Sequence, residues 1–512
     1  MKNMTKRALA GVMTAAMVVS MNLVPAMAEE TTEEAAEEAV LDTEEESAED
    51  AYEQDVTLCN GDEAFVICYG DDGDAKAQEA AELIEKIYDD MIGENGEFAK
   101  INENGGGELS EEANEIIMRA FYAYKLTDGA FDITVGQIYD KWGLGTDSPV
   151  IPTDEELEEL LAVTGMSHVK YSEGGISFDE EGVQIEADAV IAAYAGDKAE
   201  QLLRENDPDV TAVIGINGDV WCIGDRDWNV GIQEPSVEDA YVATIAMNDQ
   251  KVASYGANYN SVIIDGTACP DVINPYTGSP QESDIVSVSI IGPDMAINKA
   301  LAMSMFLFGL EDSKWMQEYS PYPFEYVILD NEQKIYVSEG LAGLVASDFE
   351  GEVVEKENST EASEEYTEIL EGFGVDDIEF EYSDCTAYTC VIPTGDLALE
   401  IISVGGDSSD VVKYMTDTLY YDLTKLSDDD IELVKEQAAS LAASVMPLDY
   451  AMVLCGVEGN FYVIRLFYWE MDDPEHLNEL VSLGVLTING STDYLGATNT
   501  AEALTESGWT LR

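Results

Sequence analysis

The spacing of apolar and polar positions changes several times along the chain, and each change predicts an element. Residues 63–70, EAFVICYG, are strand-like, a short run rich in apolar and β-forming residues. From Ala75 to Met91 apolar residues recur three and four apart, which predicts a helix. A turn-rich stretch, GENGEFAKINENGGG, separates it from a second helix over Ser110–Tyr124. Strand-like segments follow at TAVIGI, WNVGI, YVATIAM, SVSIIG and FEYVILD, among helices over 154–163, 189–205 and 295–309. A second body carries strands at IEFEYS, TCVIP, YAMVLCG and FYVIRLFYW. Its helix opens at the capping pair Ser427–Asp430 and runs through IELVKEQAASLAASVM. Helices and strands mixed in this way read as α+β.

One predicted helix carries a chemical puzzle. The segment NKALAMSMFLFG (298–309) has almost no polar face, so it reads as largely buried, with Asp294 as its N-cap. Lys299 then falls in the second turn, near the positive end of the helix dipole, where burying an ammonium is costly.

Composition makes that lysine more notable. The chain has 23 Lys and Arg against 106 Asp and Glu, and a formal charge of −83. Such a field excludes nucleic acid and anionic lipid as partners, and it repels anionic ligands unless a metal ion or local cation offsets it. The first 28 residues have a basic start, an apolar run over 8–24 and an Ala26-Met27-Ala28 end. They read as a secretory signal peptide rather than a membrane anchor, because the run is short and the small-residue site follows directly. No later stretch is apolar enough to span a membrane and no lipid anchor is visible, so the expectation is export to the cell envelope or medium. Residues 29–55 hold 14 acidic residues and no Lys or Arg, and are expected to form a disordered acidic tether. A second acidic stretch, 350–368, reads as a linker. The expected division is thus a body over 56–349 and a small α+β body over 369–512.

Seven cysteines at scattered spacings form no C-x-x-C, which argues against zinc; Cys385 and Cys390 are either a local disulfide or buried free thiols. No phosphate-binding loop, nucleophile elbow or H-E-x-x-H is present. His168 and His476 lie in different bodies, outside any Gly-rich loop, which excludes a histidine-based triad. The stretch TDGAFDITVGQIYDKWGLG (127–145) stands out instead. It combines a turn, an aromatic at Phe131, an acceptor at Asp132, and glycines that allow close backbone approach. It suits a flat heteroaromatic ligand or an ordinary helix–loop junction.

This stretch resembles the signature TDGAFDxTVGPLxxxWGFG of the ApbE family, the FAD:protein FMN transferases. Further segments resemble that family in order: GEFAKIN, EADAVIAAYAGD (186–197), GINGDVWCIG (215–224), WNVGIQEP (228–235), VASYGANY (252–259), PDVINPYTGSP (270–280) and INKALAMSMFLFG (297–309). The C-terminal body weakly resembles small YehR-like lipoprotein domains. The family resemblance implies an exported enzyme that binds FAD and Mg²⁺ and transfers FMN to a threonine of a partner flavoprotein. It implies flavin contacts from Asn102, Asp128, Gly129, Ala130, Phe131, Asp132, Glu186, Tyr194, Asp197, Gly218, Asp219 and Val272.

The chain departs from the family where the chemistry would lie. The family's metal-binding Asp and Thr fall at Lys299 and Met303, which offer no oxygen ligand, and a third metal position falls at Ala189. Its catalytic His falls at Asp271 and its loop Lys at Ala192. Lys299 therefore replaces the charge of a missing ion, toward a phosphate or toward acids such as Asp188 and Asp271, or else it only snorkels. Three readings stay open: a flavin-nucleotide binder that has lost Mg²⁺-dependent transfer, a working transferase with rearranged residues, and a flavin-free surface module.

Overall fold

The computed structural model describes residues 51–512 except 145–148, 234–240, 257–261, 355–361, 376–384, 395–397, 487–494 and isolated positions that include 271. The expected signal peptide, most of the expected tether, the IEFEYS strand and Gly145 lie outside the described residues.

Numbered along the chain, the strands of the first large sheet are β1 (Ala51–Thr57), β2 (Glu63–Tyr69), β3 (Ala212–Ile216), β4 (Asp219–Ile223), β5 (Lys251–Gly256), β6 (Ile285–Ile291), β7 (Glu325–Asp330), β8 (Ile335–Ser338) and β9 (Gly351–Val354). They lie side by side in that same order. All neighbours are antiparallel except β8 and β9. After Glu63 the run AFVICY is buried at every position because both faces are covered. Ala64, Val66 and Cys68 enter the main core, while Phe65, Ile67 and Tyr69 enter a second core beneath the strands Trp228–Gln233 and Tyr241–Met247.

The helices are α1 (Gly73–Ile92), α2 (Glu97–Asn104), α3 (Glu111–Leu126), α4 (Gly136–Trp142), α5 (Asp154–Leu161), α6 (Asp188–Asn206), α7 (Met295–Phe308) and α8 (Leu310–Tyr319). Helices α1, α3, α6 and α7 bring their apolar residues to the main core. GEFAKINEN, expected as turn, is α2: Phe98 and Ile101, three apart, anchor it, and Gly105 ends it at φ 70°. The predicted caps are present, with Asp294 accepting from the Ile297 amide at 3.0 Å and Ser427 from the Asp430 amide at 3.3 Å.

The C-terminal body adds α9 (Glu364–Phe373), α10 (Asp428–Val445), α11 (Pro474–Ser482), α12 (Ala497–Glu506) and a six-stranded sheet. Its strands are β10 (Thr386–Thr394), β11 (Ala398–Gly406), β12 (Val412–Asp422), β13 (Ala451–Glu458), β14 (Phe461–Tyr468) and β15 (Thr510–Leu511), in the order β13-β14-β12-β11-β10-β15. Residues of α10 and β13 join the same apolar cluster as α3. The Lys125 ammonium on α3 donates to the carbonyls of Met446 (3.0 Å), Leu448 and Ala451 (3.2 Å). Cys390 is a buried free thiol, so the expected alternative of a Cys385–Cys390 disulfide is not realised.

Two expected boundaries are corrected. Residues 51–55, expected within the tether, belong to β1: the outward positions carry the acids while Tyr52 packs over Gly73. The linker is not a linker throughout, since Gly351–Val354 pairs with β8 and Glu364 opens α9. A chain beginning at Asp55 loses the pairs of residues 51–54 with β2. It is expected to melt about 2–6 °C below one beginning at residue 29. Equal melting temperatures would show that this strand contributes nothing.

Candidate functional site

The buried lysine is held by the sheet. Its ammonium lies 3.0 Å from Asp219 Oδ1 and 2.7 Å from the carbonyl of Ser254. Asp219 opens β4 after Asn217 and Gly218, whose φ angles of 48° and 88° make a hairpin turn with the right twist. The same Oδ1 accepts from the Ser254 amide at 3.0 Å, so β5 supplies both a donor and an acceptor to the pair. Asp219 is 1 % exposed. Burial pushes its carboxyl above the ordinary range, and the ammonium and the Ser254 amide only partly offset this. The expected partners of Lys299 are thus corrected: the ion pair is with Asp219 and not Asp188, and Asp271 lies outside the described residues.

Asp188 instead meets the loop before β2. The Asn60 amide donates to Asp62 Oδ2 at 2.9 Å and to Asp188 Oδ2 at 3.1 Å. Burial raises both carboxyls, Asp62 raises Asp188 further, and Lys299 lowers Asp62. The Asp188 amide donates to Glu186 Oε1 at 3.3 Å.

The 127–136 segment is organised by its own side chains. Thr127 ends α3, donates to the Ala123 carbonyl at 2.7 Å and accepts from the Phe131 amide at 3.0 Å. Asp128 and Gly129 turn the chain at φ 50° and 85°, with the Tyr124 ring against Gly129. Asp132 caps a 3-10 turn by accepting from the amide and hydroxyl of Thr134 at 2.7 and 2.6 Å, and burial pushes its carboxyl up to about 6. Ala130 is buried, and Phe131, expected to offer its ring to a ligand, lies in the main core at 6 % exposure. The exposed ring is that of Tyr276, whose hydroxyl donates to the Asp128 carbonyl. Sequence reasoning missed Tyr276; the only signal was an aromatic in a turn.

Backbone bonds join these parts. Asn102 holds Ile185 through two bonds of 2.8 Å, and the Glu186 amide donates to the Ile133 carbonyl at 2.7 Å. The segment 183–188 therefore runs from the 127–136 turn to Asp188, while Val272 is buried in the main core. Tyr194 and Asp197 do not belong to this site. Asp197 is ion-paired with Arg119 at 2.6 Å and Lys251 at 2.9 Å and accepts from the Trp221 indole at 2.9 Å, which holds its carboxyl well below the ordinary range. Tyr194 is 2 % exposed, with Lys198 5.0 Å from its ring centre. Gly218 has open space where a side chain would stand.

A Mg²⁺ ion does not fit this donor set. Lys299 already places a cation on Asp219, Ala189 and Met303 offer no ligand, and Ala192 is buried in the core. Among the described residues no group of three His, Cys, Asp or Glu side chains could hold a metal. The 127–136 turn, the Asn102–Ile185 bridge and the exposed Tyr276 ring held to the Asp128 carbonyl offer the backbone polar groups and aromatic face that a flat polar ligand uses.

A family model described as the ApbE family matches residues 55–328. The FAD:protein FMN transferase of Vibrio cholerae is 26 % identical over 269 residues, 50 % of this chain and 80 % of that protein. That of Salmonella typhimurium is 31 % identical over 196 residues, 36 % of this chain and 56 % of that protein. The crystal structure of the ApbE protein from Thermotoga maritima aligns with a TM-score of 0.54 at 26 % identity, covering 58 % of this chain and 99 % of that one. The flavin transferase ApbE from Vibrio cholerae aligns at 0.51 and 21 % identity over 58 % and 99 %, a likeness of fold.

Two outcomes follow from the geometry. Lys299→Met leaves Asp219 buried without its cation, and unfolding in denaturant should show a loss of about 3–5 kcal/mol. Adding Asp219→Asn should recover most of it; a loss below about 0.5 kcal/mol in the single variant would show an unpaired ammonium. Asp132 keeps its proton in the folded chain up to about pH 6, while the unfolded chain releases it near the ordinary 3.8. Its contribution is therefore complete at low pH and declines as pH rises between these values. Asp132→Asn should flatten that decline in a stability–pH series, and an unchanged slope would contradict it.

Proposed function

The chain belongs to the ApbE family, and from that premise we propose that it is a flavin-binding member in which the Mg²⁺-dependent FMN-transfer centre has been lost. The observation that carries this reading is the Lys299–Asp219 pair. A divalent ion, when bound, offsets charge on a diphosphate while a hydroxyl attacks phosphorus. Here the position of its ligand is taken by an ammonium held to a buried carboxylate and a carbonyl. Asp271 and Ala192 stand where the family has His and Lys, so the groups that would move a proton are also replaced.

The intact turn supports retention of the flavin. Asp128 to Asp132 would approach the ring through backbone and side-chain oxygens, Asn102 would hold the adjoining segment, and the Tyr276 ring would cover one face. Tyr194 and Asp197 would act only by keeping α6 in place. The leader-like first 28 residues support export, where an exported flavoprotein would be the partner of any surviving transfer.

Flavin binding to the purified chain is expected to be unchanged by EDTA, with no FMN transferred to a threonine-bearing acceptor when FAD and Mg²⁺ are supplied. Lys299→Asp with Met303→Thr places two oxygen ligands one turn apart and should introduce a Mg²⁺ dependence. EDTA-sensitive binding, or robust Mg²⁺-dependent transfer by the unaltered chain, would establish a working FAD:protein FMN transferase instead.

A further inference from the structure

Resting on the flavin reading above, we infer that Lys125 is a positioning residue for the flavin seat, through which the C-terminal body sets how tightly that seat binds. The ammonium of Lys125 stands at the negative ends of two helices at once. It lies in the last turn of α3, and it donates to the carbonyl of Met446, which is the C-cap of α10. It donates as well to Leu448, just beyond that cap, and to Ala451, which opens β13. Carbonyls at a helix C-terminus find no partner within their own helix and carry partial negative charge. One cation therefore serves both sides of the boundary between the bodies, where apolar residues of α3, α10 and β13 belong to a single cluster.

The main chain of the same residue holds the turn. The Lys125 carbonyl accepts from the Asp128 amide at 3.3 Å, and the Tyr124 carbonyl accepts from the Gly129 amide at 2.8 Å. Asp128 and Gly129 both stand at positive φ, 50° and 85°. An aspartate keeps such an angle only where its surroundings hold it there. The Asp128 carbonyl in turn receives the Tyr276 hydroxyl, which orients the exposed ring of the seat. Lys125 thus grips the second body with its side chain and the first residue of the turn's bend with its carbonyl.

The family model ends at residue 328, so Met446, Leu448 and Ala451 lie beyond the region this chain shares with the flavin transferases. The turn is therefore held here by groups that the matched region does not supply. With the clasp open, the last turn of α3 loses that hold, and the backbone angles that present the Asp128 carbonyl and the Tyr276 ring are less populated. Flavin affinity then falls with the population of the competent state. Linkage makes the effect reciprocal: a flavin in the seat steadies the clasp.

The test is titration of the full chain with FAD and with riboflavin, joined to hydrogen exchange over 446–451 in the free and flavin-saturated chain. Well below the melting temperature, Lys125→Met should weaken flavin binding by about fivefold or more. In the unaltered chain, bound flavin should slow exchange over 446–451 by a comparable factor, and this protection should vanish in Lys125→Met. A clamp that only joins the bodies would lower the melting temperature of the variant and leave both affinity and protection unmoved. That result overturns the inference and leaves the flavin reading intact. If Lys125→Met does not fold, the unaltered chain decides the matter: flavin bound without protection over 446–451 overturns the inference equally. Failure of both flavins to bind sinks the flavin reading, and this inference with it.

Discussion

An ammonium enclosed between a helix and a sheet sets much of what this chain can do. Lys299 sits on α7 at a point where neither the helix dipole nor the apolar surroundings favour a cation. It is tolerated because Asp219 and the Ser254 carbonyl meet it, and Asp219 in turn is tolerated because Lys299 and the Ser254 amide meet it. Each group would be costly alone, so the pair behaves as a unit that ties α7 to β4 and β5. The arrangement that stabilises the fold here is also the one that removes a place for a divalent ion.

The chain has few cations, and those buried among the described residues are committed to structure. Arg119 and Lys251 both pair with Asp197, which also receives the Trp221 indole. Gly196 lets that indole lie against α6, since a Cβ there would come within 2.2 Å of the ring. Lys125 serves carbonyls of the C-terminal body. Little positive charge is left for a ligand, and this is a property of how charges are distributed, not merely of their sum.

The apolar pattern made the main layers legible. The EAFVICY run read as a strand, and the caps at Asp294 and Ser427 located two helices, because these signals are local. The motif order located the 127–136 turn. What stayed hidden depends on distant partners. Asp219 lies 80 residues from Lys299, and nothing in either neighbourhood selects one acid among 106. Residues 51–55 looked like tether because β1 alternates acids outward with half-buried positions, a pattern that low hydrophobicity masks. Tyr194 and Asp197 match the family by residue type, yet their neighbours make them structural, and spacing carries no information about neighbours.

The C-terminal body bears on the site through α3. Its residues in α10 and β13 share one apolar cluster with α3, and Lys125 draws the carbonyls of Met446, Leu448 and Ala451 to the last turn of that helix. Two residues later Thr127 ends α3 and begins the turn that Asp128, Gly129 and Asp132 form. The end of the helix is thereby held from outside the ApbE-like body, at the point where the turn begins. A turn with two consecutive positive φ angles has little tolerance for a shifting anchor. The second body thus meets the helix that carries the candidate flavin seat at the end from which the turn departs.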